Sequence, residues 1–467
     1  MAYAKKSIVC IENGVLRIKK HKQSQWILLL VMLWPFVINL IAGLPSPLSC
    51  AQYLCDGIML CWCFGGCVGL KYKSTKMRRN TTFFLIWICI FVGYTLVTYG
   101  LHYQSALYYL WGIRNNFRGY MLFFRVLLQA NKEDVDEWLG VLDSLFWLNA
   151  VLTIFQFVVM GIKQDYLGGI FGTGEGMNGF TLIFLSIVVV KSQLNLYEHK
   201  EKLWVCLLKC AVALLIAAMA ELKFYLLLFV FQMVLVVILT QFSWKKVIVL
   251  PICAIAVSAS MGLLAQWFSS SGTFDIGRII AKAFEENYAS ANDLNRLSAI
   301  GTLSRRIVKN PLDRIVGLGL GNCDSANFAF LRTPFYERYS YLHYKWFSAP
   351  MIFLETGYIG LVFFLGFFMM CLIKTIKNRQ RRKDKTSYNS MGIIFSITAL
   401  ILAFYNASLR YEAGWMIYVV LTLPFISTKK KPEKGVVYEN MQRNYAEQEI
   451  LDNCSCSFHS SYCNSNY

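Results

Sequence analysis

Long apolar runs fill most of this sequence and constrain its fold more than any other feature. Of its 467 residues, 56% are hydrophobic and only 16% are charged, and the mean hydropathy is +0.46. This composition excludes an ordinary soluble domain. Runs of about 17–25 apolar residues are long enough to cross a bilayer as helices, which satisfy their own backbone hydrogen bonds. The runs do not alternate polar and apolar residues, so barrel strands are not predicted.

The runs predict an all-α polytopic membrane protein with about twelve transmembrane helices. The predicted spans are 26–43, 52–70, 82–100, 106–127, 138–160, 178–192, 203–220, 224–241, 246–267, 349–373, 390–407 and 413–428. The chain then divides into an N-terminal segment (1–25), nine spans (26–267), one large hydrophilic loop with helical character (268–348), three spans (349–428) and a disordered tail (429–467). No cleavable signal peptide is predicted, so the first span is expected to stay as an anchor.

Basic residues predict the orientation of the spans. Lysine and arginine cluster in the N-terminal segment, in loops 71–79 and 374–385, and at the start of the tail. Counting through twelve spans places every cluster on one side, and short cytoplasmic loops carry such an excess. Both termini are therefore predicted to be cytoplasmic, and loop 268–348 to face outward. The net charge of +19 follows from this topology, so no nucleic-acid partner is predicted.

The cysteines do not predict a disulfide framework or a metal site. Most of the fifteen lie within predicted spans, where a free thiol behaves as a small apolar group. Only Cys50 and Cys323 fall on the predicted outer side. The cysteines and histidine of the tail, Cys454–Cys463, lack the usual zinc spacing. No metal or cofactor is therefore expected.

Three arginines interrupt the fourth predicted span. Arg118 lies four residues after Arg114 and Arg125 eleven after it, so all three project from one helix face. Charges deep in a bilayer are costly, and residues that carry them usually face an interior or a wet cavity and serve a function. Guanidinium groups suit phosphate, which makes Arg114 and Arg118 candidate ligands. Alternatively, this helix is interfacial and its arginines reach the headgroups, the reading we favour for Arg125.

Further candidates lie in the predicted outward segments. Lys223 occupies the very short turn after the seventh span, either beside the arginines or in a solvated loop. Arg296 and Arg314 of the large loop are candidate anion ligands. His343, the loop's one histidine, suits proton transfer near neutral pH, although a lone histidine is often structural. The glycine-dense stretch 165–178 either lets backbone approach a ligand or is an ordinary connection.

Several motifs appear together and in the order found in a known superfamily. They are Gly112-Ile-Arg-Asn-Asn-Phe-Arg118, Gly169-Ile-Phe-Gly172, Glu221-Leu-Lys223, Gly317-Leu-Gly-Leu-Gly-Asn322, Phe353-Leu-Glu-Thr-Gly-Tyr-Ile-Gly-Leu361 and Ser408-Leu-Arg-Tyr-Glu412. Over residues 105–415 the chain resembles the O-antigen ligase and polymerase superfamily, most of all the Wzy-type capsule or exopolysaccharide repeat-unit polymerases. One departure is that family members often carry a His-Asn pair where this chain has Trp346-Phe347.

The resemblance implies a GT-C-like helical fold and glycan transfer between polyprenyl-pyrophosphate carriers at the outer face of a bacterial cytoplasmic (inner) membrane. An acceptor hydroxyl attacks the anomeric carbon of the donor, and cations stabilise the leaving pyrophosphate without a metal. The cationic residues expected to bind pyrophosphate or glycan are Arg114, Arg118, Lys223, Arg296 and Arg314. His343 or Glu355 is expected to assist the acceptor hydroxyl, although Glu355 could instead brace the tenth span.

The expected partners are the lipid-linked oligosaccharide donor and acceptor, membrane lipid, a chain-length regulator and a flippase. Two other functions stay open on the sequence. One is an O-antigen-ligase-like transferase, whose loss leaves long lipid-linked chains, whereas loss of a polymerase leaves single repeat units. The other is a lipid-linked oligosaccharide flippase or other transporter, whose loss leaves units on the inner leaflet.

Overall fold

Helices make up nearly all of the described structure. The computed structural model describes residues 9–12, 15–18, 23–37, 52–65, 75–241, 243–268, 293–325, 328–382 and 387–426. Apart from an antiparallel hairpin that pairs Val9–Glu12 with Val15–Ile18, the elements in these ranges are helices and short turns. The predicted tail at 429–467, the first part of the large loop at 269–292 and Cys50 lie outside the described residues.

The described helices follow one another with short connections. They are α1 (Gln23–Leu28, continued by a π-helical segment Leu29–Leu33), α2 (Gln52–Gly65), α3 (Thr75–Leu101), α4 (Ala106–Gln129), α5 (Lys132–Val158), α6 (Asn178–Tyr197), α7 (Leu203–Met219), α8 (Lys223–Leu239), α9 (Trp244–Trp267), α10 (Ala299–Arg306), α11 (Pro311–Val316), α12 (Pro334–Tyr339), α13 (Ser348–Arg382), α14 (Ser387–Tyr405), α15 (Trp415–Val420) and α16 (Leu423–Ile426). Single 3-10 turns include Ser408–Arg410 and Glu412–Gly414 before α15.

Six stretches of the described helices are long and apolar enough to cross a membrane. They are Asn80–Leu101, Lys132–Val158, Asn178–Tyr197, Trp244–Trp267, Ser348–Gln380 and Ser387–Tyr405. This confirms a helical, membrane-embedded protein. A described helix lies within each predicted span, but the count of twelve spans and the side on which each loop lies remain predictions.

The remaining helices fall short for identifiable reasons. The helices α7 and α8 have 17 residues each, which at about 1.5 Å per residue gives about 25 Å, less than the roughly 30 Å of a hydrocarbon core. The helix α4 is 24 residues long, but its three arginines lower its hydropathy. Charge rather than length therefore sets α4 apart, as the sequence indicated.

A kink in α13 anchors the glycine-rich loop that follows α11. The helical geometry of α13 breaks at Gly357, where φ is +65°. The carbonyls before the break are free to accept hydrogen bonds from this loop: Leu318 donates to Leu354 at 2.8 Å and Gly319 to Glu355 at 3.0 Å. The loop thus replaces the missing turns of the helix ladder, which ties it to the membrane domain.

Glycine is required where this loop meets α4. At Gly321 φ is +85°, and a Cβ atom there would lie 1.9 Å from the Tyr108 carbonyl oxygen. From the other side, a Cβ on Gly112 would lie 2.6 Å from the Gly321 nitrogen. Both backbones are therefore in direct contact, and neither a side chain nor another backbone conformation fits between them.

We predict that Gly321→Ala destabilises the protein by about 2–6 kcal/mol, the sum of left-handed strain and overpacking against backbone. The measurement is the thermal unfolding midpoint of the purified protein in detergent. Gly140→Ala is the matched control, because Gly140 of α5 has nothing within 4 Å of its Cβ position and should change stability by less than about 1 kcal/mol. Equal midpoints for the two variants would contradict the contact.

Candidate functional site

The predicted polar residues gather at one end of the helix bundle. Residues 293–325 and 328–347, here called the capping segment, contact this end: Asp324 meets Arg410 at 3.2 Å, and Ser348, at the start of α13, donates its backbone N–H to Asn406 at 3.0 Å. Gln164, in the loop after α5, donates to Glu221, in the turn after α7, at 2.7 Å. The loops after α3, α5, α7 and α14 therefore share this end with the capping segment.

The two arginines of α4 share one carboxylate. Arg118 Nη1 lies 2.7 Å from Asp56 Oδ1 and 2.6 Å from Glu412 Oε1, and Arg114 Nε lies 2.6 Å from Asp56 Oδ2. The Arg118 side chain is only 4% exposed and that of Asp56 8%. Both arginines therefore face the interior of the bundle, and their charges are balanced by α2 and by the turn before α15.

Aromatic rings complete the surroundings of these guanidinium groups. The Arg114 guanidinium carbon lies 5.3 Å from the Tyr53 ring centre and 4.5 Å from that of Trp111. The corresponding distance from Arg118 to Trp415 is 5.4 Å. Cation–π contacts of this kind are strengthened where water is excluded. They help to hold the charges at fixed positions within an apolar helix bundle.

Asp324 forms a second centre beside the first. This fully buried carboxylate accepts hydrogen bonds from Asn115 Nδ2 at 2.8 Å and Arg410 Nη2 at 3.2 Å, and it pairs with Lys345 Nζ at 2.7 Å. Burial opposes its ionisation, but the positive charges of Arg410 and Lys345 outweigh burial and hold the pKa of Asp324 below its ordinary value. Asp324 is therefore a permanent anion that joins the capping segment to α4.

Glu355 lies beneath this centre with no exposure to solvent. Its Oε2 accepts a hydrogen bond from Asn116 Nδ2 at 3.2 Å, and Asn116 Oδ1 accepts one from Arg410 Nε at 2.8 Å. The carboxyl thus ties α13 to α4 and does not reach the surface where a sugar would lie. The geometry favours the bracing role for Glu355 over direct contact with an acceptor hydroxyl.

The sequence predictions missed four members of these two centres as site residues: Asp56, Asp324, Arg410 and Glu412. A signal existed for three of them. Asp56 is an acidic residue inside the second predicted span, and Arg410 and Glu412 stand just before the twelfth. Intramembrane charges deserve a partner search whatever their sign. Asp324 had no such signal, because it lies in a polar loop among many other charged residues.

Arg296 and Lys223 lie in a neighbouring cluster around Tyr405 and not with the arginines of α4. Arg296 Nε donates to the Tyr405 carbonyl at 3.3 Å, and its guanidinium carbon lies 4.7 Å from the Tyr405 ring centre. That ring stacks on Phe224 with 3.6 Å between centres. Lys223 Nζ pairs with Glu221 at 3.2 Å. The expected grouping of all five cations around one ligand is therefore not what the structure shows.

Arg314 serves the capping segment itself. Its Nε donates to the Val308 carbonyl at 2.8 Å, which fastens the turn between α10 and α11. The glycine-dense stretch 165–178 is likewise held by protein: Gln156 of α5 exchanges two hydrogen bonds with the backbone of Gly169, at 2.8 and 2.9 Å. For this stretch, the close backbone approach goes to α5.

His343 belongs to an accessible histidine–aspartate pair. Its Nδ1 lies 2.8 Å from Asp293 Oδ1, and its side chain is 42% exposed. The imidazole stacks on Trp346 with 4.1 Å between ring centres and 10° between planes. When the proton of a neutral imidazole is on Nδ1 and bound by the aspartate, Nε2 is left as the acceptor. The pair therefore presents a basic nitrogen away from Asp293.

Backbone strain is concentrated at the same end of the molecule. Among the described non-glycine residues with positive φ, Tyr103, Gln164, Glu221 and His343 lie here, with φ between 46° and 59°. Such conformations cost free energy and persist where surrounding structure holds them, frequently at functional sites. The strain and the buried charges point to the same end of the bundle.

Comparison with known proteins adds no family to this description: no protein-family model matches the chain, and no curated protein matches it significantly. Within the described residues, no group of three or more His, Cys, Asp or Glu side chains is placed to hold a metal ion. Fold and site together define a helical, membrane-embedded protein with a buried ion-pair network at one end.

We predict that Asp324→Ala destabilises the protein by about 3–5 kcal/mol, because it leaves the buried Arg410 and Lys345 without their carboxylate. Glu198→Ala is the control, since Glu198 pairs with a Lys200 side chain that is 62% exposed, and should cost about 0–1 kcal/mol. Unfolding midpoints in detergent report both. A neutral Asp324→Ala would show that the network does not hold the capping segment.

Proposed function

We propose that the protein is a membrane glycosyltransferase that polymerises polysaccharide repeat units, moving a growing glycan from a polyprenyl-pyrophosphate donor to a lipid-linked acceptor. The observation that carries the proposal is the charged network at one end of a membrane-embedded bundle, where α2, α4, the capping segment and Arg410 meet. The motif resemblance described above supports the same chemistry. In this proposal the network lies at the outer face of a bacterial cytoplasmic membrane.

Exposure separates the cations that could contact a ligand from those that hold the site together. Side-chain exposure is 4% for Arg118 and 1% for Arg410, but 23% for Arg114 and 22% for Lys345. The two buried arginines are in contact with carboxylates and have no room for substrate. Arg114 and Lys345 are therefore the groups we assign to the pyrophosphate.

A continuous chain of hydrogen bonds links these two half-exposed cations. Arg114 Nη1 donates to Asn115 Oδ1 at 2.7 Å, and Asn115 Nδ2 donates to Asp324 at 2.8 Å. Asp324 in turn pairs with Lys345 at 2.7 Å. Because each link is made within the protein, the two positive groups keep their relative position before a ligand arrives, which is what electrostatic stabilisation of a transition state requires.

The proposed reaction uses these groups in one displacement step. The acceptor hydroxyl oxygen forms a bond to the anomeric carbon, and the bond from that carbon to the phosphate oxygen breaks. The pyrophosphate leaves with the electron pair, and Arg114 and Lys345 stabilise its growing charge. His343 Nε2 accepts the hydroxyl proton, with Asp293 holding the ring. The part of Arg296 and Lys223 in binding the same substrates stays a prediction.

We predict that Arg114→Ala and Lys345→Ala each lower polymer formation by about a hundredfold or more, the usual effect of removing one transition-state donor. The assay is the chain-length ladder of surface glycan in a deletion strain that expresses each variant at normal level. Arg314→Ala is the matched cationic control from the capping segment and should keep the ladder.

Two results would reject this proposal. A normal ladder in both test variants would remove the assigned cations from the reaction. Accumulation of unpolymerised units on the inner leaflet of the deletion strain would favour transport over glycan transfer. Units that accumulate singly on the outer leaflet are the result expected for a polymerase, whereas long lipid-linked chains there would favour a ligase.

We predict a separate effect for the histidine pair. His343→Ala should lower the rate of purified enzyme on lipid-linked repeat units by about a hundredfold or more, and Asp293→Asn should give a smaller loss by releasing the imidazole. Trp346→Phe keeps a ring for stacking and should stay close to wild type. If His343→Ala retains the wild-type rate and pH profile, the proton goes elsewhere.

A further inference from the structure

A polar cavity of about 340 Å³ opens at the end of the bundle opposite the candidate site. The first turns of α5 and α14 and the last turns of α6 form its walls, so it lies where α5 begins, and the candidate site lies beyond the other end of α5. Its charged and polar lining residues are Lys132, Asp136, Lys191, Asn195, Lys200 and Tyr388. Nothing in the proposed reaction uses this cavity.

The floor of the cavity is held by a buried ion-pair network. Lys191 donates to the Asp143 carboxylate and to the Leu139 carbonyl, and Lys209 pairs with the same carboxylate at 2.9 Å. The Lys191 and Lys209 side chains are only 12% and 5% exposed. Charges at this depth in a membrane protein are costly and often mark functional sites. The network fixes the Lys191 ammonium group at the base of the cavity.

The mouth of the cavity carries charges of both signs. Lys132 Nζ lies 5.8 Å from the Tyr388 ring centre, one helix turn from Asp136. Lys200 at the rim already pairs with Glu198, whereas none of the described residues forms an ion pair with Asp136. An anion alone would be repelled by Asp136, and a cation alone would face three lysines. A ligand with a phosphate and an ammonium group satisfies both.

An apolar slot continues from the same mouth. Lys132 and Tyr388 also border a narrow crevice that is otherwise lined by Val135, Leu423 and Ile426. A charged cavity joined to an apolar crevice matches an amphiphile, with its headgroup in the first and its chain in the second. A soluble ligand would have no use for the crevice.

We infer that this cavity binds a zwitterionic phospholipid with a phosphoethanolamine headgroup. The phosphate lies between Lys132 and Lys191, the ammonium group meets Asp136, and the start of an acyl chain follows the apolar slot. The lipid fastens the ends of α5, α6 and α14 to one another. This inference is independent of the glycan-transfer proposal, because it concerns the opposite end of the bundle.

The test is retention of lipid by the purified full chain in detergent, measured by native mass spectrometry. Dioleoyl phosphatidylethanolamine should be retained about fivefold over dioleoyl phosphatidylglycerol, the equivalent of one surface ion pair. Asp136→Asn should abolish this preference, and Lys132→Ala should weaken retention of both lipids. Lys202→Ala, an exposed lysine near the same end but outside the cavity, should leave the preference unchanged.

A third arm separates a membrane lipid from a soluble ligand of the same chemistry. Free phosphoethanolamine should fail to displace the bound lipid, because it cannot fill the apolar slot. Equal retention of the two lipids by wild type, or a preference that survives Asp136→Asn, overturns the inference. Binding of free phosphoethanolamine without any lipid preference would assign the cavity to a soluble compound and would also overturn it.

Discussion

The rest of the structure depends on the pairing of Arg118 inside the helix bundle. A guanidinium group in that position is tolerable only with carboxylates in contact, and the chain supplies Asp56 from α2 and Glu412 from the turn before α15. The three residues come from distant parts of the sequence, so their meeting constrains how α2, α4 and α15 pack. A buried ion pair of this kind is seldom more stable than apolar residues of the same size. Its presence therefore favours a role for the charges beyond folding.

The capping segment follows the same logic on a second anion. Asp324 needs Arg410, Lys345 and Asn115 around it, and it reaches them because the preceding glycine-rich loop lies directly on α4 and on the kink of α13 at Gly357. Backbone contact and charge pairing thus support each other. Without glycines the loop would stand off from α4, and without the anion the buried cations would be unbalanced.

The sequence alone predicted the local features well and the tertiary pairings poorly. Apolar run length indicated where the helices lie, and the spacing of Arg114 and Arg118 correctly indicated a common helix face. That spacing carries no information on what lies opposite, so the partner Asp56 went unnamed. Arg296 was grouped with the α4 arginines on charge alone, whereas packing of loop backbone places it against Tyr405. Pairing across a bundle depends on how helices pack, which no local pattern encodes.

Charge balance sharpens what the proposed site must do to bind a diphosphate. Its cations are Arg114, Arg118, Lys345 and Arg410, and its carboxylates are Asp56, Asp324, Glu355 and Glu412. Equal numbers of each leave little net field to attract an anion from a distance. Affinity must then come from short-range donors held in place, and the hydrogen-bonded chain through Asn115 holds Arg114 and Lys345 in this way. The carboxylates keep the site stable while it is empty, and the two half-exposed cations are left to discriminate a ligand by geometry.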